Sequence, residues 1–197
     1  MRAMTVSTTP VDRLHFTGDD EADRLLVEDP LALLIGFALD QQVTVQKAFS
    51  GPLELRRRIG HLDPALIAAM DPDELAEAFR RGPALHRFPG AMAKRVRALC
   101  DFIVREHGGR ADGVWTDATD GRDLRRRLMA LPSFGEMKVN SVLAILAKRF
   151  GVDLPGLADE LPRHPTLGDV DSPEALERYQ AAKRAHKAEL RARGERA

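Results

Sequence analysis

The sequence predicts an all-α fold, and three observations predict it. Apolar residues recur at helical spacing through most of the chain, no run alternates with period two for long enough to form a strand, and several segments open with an acidic residue followed by proline, a helix-start signature. No internal repeat of solenoid or propeller length is visible.

Residues 1–19 read as an N-terminal arm that leads into the acidic stretch Asp12 to Asp29. Leu31 to Leu39 is apolar on every side, which predicts a central helix buried all round. Ser50-Gly51-Pro52 reads as a turn. Short helices are expected to start at Asp63-Pro64 and at Asp71-Pro72, with the aspartate as N-cap and proline in the first turn. After Pro89-Gly90, the residues Met92, Val96, Leu99 and Ile103 line one face of a longer helix, and a further helix ends near Ala130. From Glu136 to Phe150 the positions Val139, Val142, Leu143, Leu146, Ala147 and Phe150 make one continuous apolar face. Gly151 to Val170, broken by Pro155, Gly156, Pro162, Pro165 and Gly168, is a loop of functional length. Ser172-Pro173-Glu174 opens the last helix, whose charged end, residues 189–197, has too little apolar surface to stay folded and is expected to fray. The folded domain is therefore expected over residues 20–188.

A chain of 197 residues with 44% apolar content can bury a core as one domain or as two lobes that share it. The lone Cys100 excludes an intrachain disulfide and any cysteine-held zinc or iron–sulfur site, which fits a reducing compartment and a cytoplasmic location. Leu31 to Leu39, the longest apolar run, falls far short of the roughly 20 residues of a membrane helix, and Met1 to Pro10 lacks the apolar core of a signal peptide. The six histidines show no ligand spacing, so no metal and no cofactor are expected. Net charge is zero, yet Arg80 to Arg105 carries seven basic residues against Asp101 alone, so a basic face can still meet a polyanion.

One stretch carries a chemical signal: Leu131-Pro132-Ser133-Phe134-Gly135, a tight turn between two helices, with Gly135 free to adopt positive φ. The unpaired N–H groups at the start of the second helix form an anion site suited to a DNA phosphate, although the pentapeptide alone is equally an ordinary helix corner. Upstream stand Met92-Ala93-Lys94-Arg95-Val96-Arg97-Ala98-Leu99 and, before it, Leu39-Asp40-Gln41-Gln42-Val43. In this order the three segments resemble the HhH-GPD superfamily of base-excision DNA glycosylases, whose hairpin typically reads Leu-Pro-Gly-Val-Gly. Ala48-Phe49-Ser50-Gly51-Pro52, Pro83 to Gly90 and Gly168-Asp169-Val170 look further like a small bacterial branch of that superfamily.

The resemblance implies a two-lobed helical domain with double-stranded DNA in the cleft. Its DNA-binding residues would be Gln41, Gln42, Lys94, Arg95, Ser133, Gly135 and Lys138, with Gln42 as the wedge that fills the gap left by a flipped nucleotide. Ser133 stands where the family has its first hairpin glycine. Met137 stands where bifunctional members carry the Schiff-base lysine, and Lys138 lies about 100° further round the helix, which implies a monofunctional enzyme. The four-cysteine iron–sulfur cluster of some members is absent. The family's catalytic aspartate follows a Gly/Pro loop at a helix start, and Asp169 and Asp159 are the candidates, ahead of Asp153 and of Asp171, which reads as a helix cap. His86 and Trp115 are candidates for the base pocket, with Phe88 and Trp115 also readable as core. The function expected is a monofunctional DNA glycosylase, working as a monomer without an obligate protein partner. The alternatives are a non-catalytic DNA-binding module and a protein-interaction domain on the same scaffold.

Overall fold

A computed structural model describes residues 11–193. Residues 1–10 of the expected arm and 194–197 of the expected frayed end lie outside it. The elements are α1 (Asp20–Glu28), α2 (Pro30–Leu39), α3 (Val45–Ile59), α4 (Pro64–Ala69), α5 (Pro72–Arg80), α6 (Pro89–His107), α7 (Gly113–Thr116), α8 (Gly121–Ala130), α9 (Glu136–Lys148), α10 (Leu157–Glu160), a 3₁₀ turn (Leu167–Asp169) and α11 (Pro173–Ala192). The described chain is all helical, as the sequence predicts. No helix among the described residues is long and apolar enough to cross a membrane.

Two groups of helices share one core. In the first, α2 packs on α3 and α6, and α4 and α5 lean on α6; in the second, α8, α9, α10 and the 3₁₀ turn pack together. Every residue from Leu31 to Leu39 is buried, so α2 is the central helix its sequence predicts. Two glycines let α3 lie close against it: a Cβ on Gly36 would meet the Phe49 ring at 2.5 Å, and one on Gly51 would meet Leu39 Cδ1 at 2.4 Å. Ser50-Gly51-Pro52 is accordingly helix interior and not a turn. Proline removes one helical N–H, but Pro52 is buried, and packing outweighs the local signal. The hairpin joins the two groups, where the Phe134 ring lies 6.3 Å from Phe37.

The acidic stretch is spent on local structure. Asp19 caps α1, Asp29 caps α2, and the buried Asp23 accepts the Phe16 and Thr17 N–H groups, both at 3.0 Å. That last pair pins the segment before α1, so Leu14 and Phe16 enter the core from within the stretch read as an arm. Asp63 and Asp71 cap α4 and α5 with proline following each, as expected. Arg58 has a buried side chain and closes the α5–α6 connection by donating to the Ala78, Arg81 and Pro83 carbonyls at 2.7 Å each.

Candidate nucleic-acid interface

The hairpin keeps a glycine-like backbone without its first glycine. Ser133 sits at φ 67°, the left-handed region, while Gly135 is extended at φ −112° and ψ 177°; the positive φ expected at Gly135 belongs to Ser133. Holding a non-glycine residue there costs about 1–2 kcal/mol, which the packing of Leu131 and Phe134 into the core offsets. Gly135 needs to be glycine neither for its dihedrals nor for its neighbours, because a Cβ there would meet nothing within 4 Å. The space it leaves faces outward. No side chain caps α9, so its first N–H groups are open to an external anion.

Opposite the hairpin lies the turn that ends α2. The Gln41 carbonyl accepts from His86 Nε2 at 3.0 Å, and His86 Nδ1 accepts the Phe88 N–H at 3.0 Å, which fixes the neutral tautomer with its proton on Nε2. Burial pushes the His86 pKa down, with the bonds to the Gln41 and Leu39 carbonyls opposing it. His86 thus acts as a buried post for the turn. Phe88, readable as core, is instead 41% exposed under the Arg87 guanidinium. The turn presents Gln41 and Gln42 to solvent, Gln42 at φ 57°, and Arg95 donates to the Gln41 side-chain oxygen. Lys94 points elsewhere, into a cleft of about 530 Å³ between α6 and the α4–α5 pair that also takes Arg97. Trp115 is 7% exposed and packs in the core beside α8, the second of its two readings.

The family match decides what these pieces belong to. The model of the HhH-GPD superfamily base excision DNA repair protein matches residues 35–196, most of the chain, from the second half of α2 through the hairpin and beyond. The chain belongs to this superfamily. No curated protein and no solved structure matches it. As a member of a DNA repair superfamily the chain binds DNA.

Between the HhH-GPD hairpin helix and α11 lies a cavity of about 490 Å³, lined by Met137 and Ser141 on one side and by Thr166, Tyr179 and Lys183 on the other. Met137 is 73% exposed at its edge. Lys138 does not project freely: it is half-buried, its ammonium 5.8 Å from the Phe134 ring centroid, and burial lowers its pKa while the Asp40 charge opposes that. Asp40, at the end of α2, faces the charges of Lys183 and Lys138, yet burial dominates and raises its pKa. The Tyr179 pKa is raised, first by burial and then by the Asp40 and Asp169 charges.

Asp169 closes the 3₁₀ turn by a capping box. Its Oδ2 accepts the Thr166 N–H at 2.8 Å and the Thr166 hydroxyl at 3.2 Å, and Oδ1 pairs with Lys148. Burial works against the charge, but Lys148 and Thr166 outweigh it and hold the carboxyl below its ordinary pKa. Gly168 matters here for contact: a Cβ would lie 2.5 Å from the Ala144 backbone, so only glycine lets the turn seat on α9. Asp159 is exposed on α10, which packs on α8 beside the Arg125–Glu160 ion pair, and Asp153 is exposed after α9. Asp171 is exposed too, and the cap of α11 is Ser172, whose hydroxyl accepts the Ala175 N–H at 3.1 Å.

Asp40, Tyr179 and Lys183 were not among the residues singled out from sequence. Tyr179, the one tyrosine of the chain, shares a helical face with the buried Ala175 and Leu176, and that spacing is the signal that would have found it.

Proposed function

We propose that this HhH-GPD protein is a monofunctional DNA glycosylase that acts on double-stranded DNA, at the nucleoid. The observation that carries it is a cavity of about 490 Å³ directly beside the hairpin, with the Met137 thioether where the Schiff-base lysine stands in bifunctional members. The volume lies within the roughly 300–1,000 Å³ of small-molecule pockets, enough for an extruded base. The hairpin N–H groups hold a phosphate, Gln42 enters the stack, and the flipped nucleotide reaches the Met137–Tyr179 cavity. The C1′–N bond then breaks with its electron pair leaving on the base, water adds to C1′, and the proton that water gives up is balanced by the one the departed base takes on its nitrogen. Asp169, kept ionised by Lys148, is the carboxylate that stabilises the cationic sugar; Asp159, on α10, is the weaker candidate. With no amine at position 137, the abasic strand stays intact.

A second reading, a non-catalytic DNA-binding module, is favoured by one observation: both Asp169 oxygens already have protein partners. A panel of duplex oligonucleotides, each with one modified base, separates the two. A glycosylase leaves a strand break only after alkali, and Asp169→Asn lowers single-turnover excision by orders of magnitude while Asp159→Asn stays within a few-fold. No excision from any duplex leaves the binding module standing.

A further inference from the structure

Helix α6 buries one face and lines a cleft with another. Met92, Val96, Leu99 and Ile103 turn to the core, while positions 94, 97, 98 and 101 fall at i, i+3, i+4 and i+7 on a second face. This face meets the α4–α5 pair around a cleft of about 530 Å³, within the roughly 300–1,000 Å³ of small-molecule pockets. Small side chains leave the room: Ala68 stands on α4, Ala93 and Ala98 on α6, and Leu75 of α5 supplies an apolar wall. None of the lining residues belongs to the hairpin, to the Gln41-Gln42 turn or to the Tyr179 cavity.

The charges of the cleft are unevenly matched. Its one carboxylate, Asp101, is paired with Arg105 at 3.2 Å, one turn further along α6. Among the described residues neither Lys94 nor Arg97 forms an ion pair, and Arg97 Nε is buried without a hydrogen-bond partner. A guanidinium N–H shut away from water and left unbonded is rare in a folded protein, and an acceptor that enters the cleft satisfies it. Charge then selects the acceptor. A carboxylate or a backbone phosphodiester brings one negative charge, whereas a phosphate monoester carries about −1.5 to −2 at neutral pH, a match for a guanidinium fork and an ammonium together.

We propose that the cleft between α6 and the α4–α5 pair binds a phosphate monoester on a small organic body, with Arg97 and Lys94 on the phosphate and the alanines and Leu75 against the body. Two sources present this chemistry, a free mononucleotide and the phosphorylated end of a broken DNA strand. The site does not rest on the glycosylase reading, because it shares no residue with the hairpin or with the Met137–Tyr179 cavity.

Isothermal titration calorimetry of the full chain with a deoxynucleoside 5′-monophosphate, and with the same nucleoside lacking phosphate, tests the site. The monophosphate should bind at a single site, at least roughly tenfold tighter than the nucleoside. Lys94→Gln and Arg97→Lys should each weaken it roughly tenfold, the second because an ammonium cannot fork onto two phosphate oxygens. Asp101→Asn should tighten it about threefold by removing a like charge, a gain that unfolding does not produce. Competition with a short duplex bearing 5′-phosphate or 5′-hydroxyl ends separates the two sources. Displacement by the phosphorylated duplex alone assigns the site to a strand end, and displacement by neither assigns it to the free nucleotide. Equal displacement by both overturns the monoester, since a backbone diester then fills the cleft. Monophosphate binding that is unchanged in Lys94→Gln and Arg97→Lys lies elsewhere and overturns the proposal. A monophosphate that binds no tighter than the nucleoside, or equal weakening in all three variants, overturns it too.

Discussion

Among the described residues, two outside glycine hold left-handed backbone, and both lie on the proposed DNA-facing surface. Gln42 at φ 57° ends the α2 turn and Ser133 at φ 67° bends the hairpin. Such conformations persist only where the surroundings fix them, and here the surroundings are the His86 post under Gln41 and the buried Leu131 and Phe134. For Gln42 the consequence is an exposed residue on a fixed backbone, which the proposed role of standing in for a stacked nucleotide requires. Gln42→Ala should therefore reduce the fluorescence rise of a 2-aminopurine placed beside the lesion, because nothing then recovers the few kcal/mol that flipping costs. A full-amplitude signal in that variant would move the wedge to Gln41.

Among the elements, the 3₁₀ turn depends most on a single contact. It has no apolar length of its own, and it seats on α9 because Gly168 permits backbone approach to Ala144. Gly168→Ala would force α9 backbone and turn apart, since the atoms met at 2.5 Å belong to a helix and cannot rotate away. The expected cost is about 1–3 kcal/mol, read as a lower urea midpoint, together with slower excision, because the turn holds Asp169, the proposed catalytic carboxylate. Slower excision without loss of stability would mean that the seat positions the carboxylate alone. The same logic explains the misread α3: Gly51 and Pro52 look like a turn in sequence, and only the Leu39 side chain they pack against shows why they stand in a helix.

Across the whole molecule, the chain's neutrality conceals a division of labour. Acidic groups cap helices and hold segments together, and Asp123 in α8 shows how firmly: it accepts from Arg127 at 2.8 Å, from Arg126 and from the Thr119 N–H at 3.2 Å, which lower its pKa from 3.8 to about 2. A carboxyl depressed in the folded state stabilises it above the unfolded pKa, and that contribution is lost as pH falls from near 4 to about 2. Asp123→Asn should flatten the acid limb of the stability curve in that window and leave the curve's shape near neutrality unchanged, measured by urea midpoints across pH. The buried Asp23 and the half-buried Asp29 and Asp40 have raised pKa values, so their sign is opposite, and desolvation is the leading cause in each. Basic groups are placed differently: Arg95 stands at the turn and Lys138 at the hairpin.

By itself the sequence determined the all-helical class, the buried α2, the capped starts of α4 and α5, the apolar face of α9 and the hairpin that marks the superfamily. These are local quantities: a helical period, an N-cap with proline, or a five-residue turn is set by neighbours within a few positions. Only the tertiary structure decided that Ser133 rather than Gly135 bends the hairpin, that His86 is buried while Phe88 is exposed, that Trp115 lies in the core, and that Asp169 closes the 3₁₀ turn with Thr166 while Asp159 lies exposed on α10. Each of these depends on which surfaces far apart in the chain meet, from Gln41 on His86 to Ala144 on Gly168 and Gln46 on Gln180. Close packing settles such meetings by fractions of an ångström, and a one-dimensional pattern does not encode them.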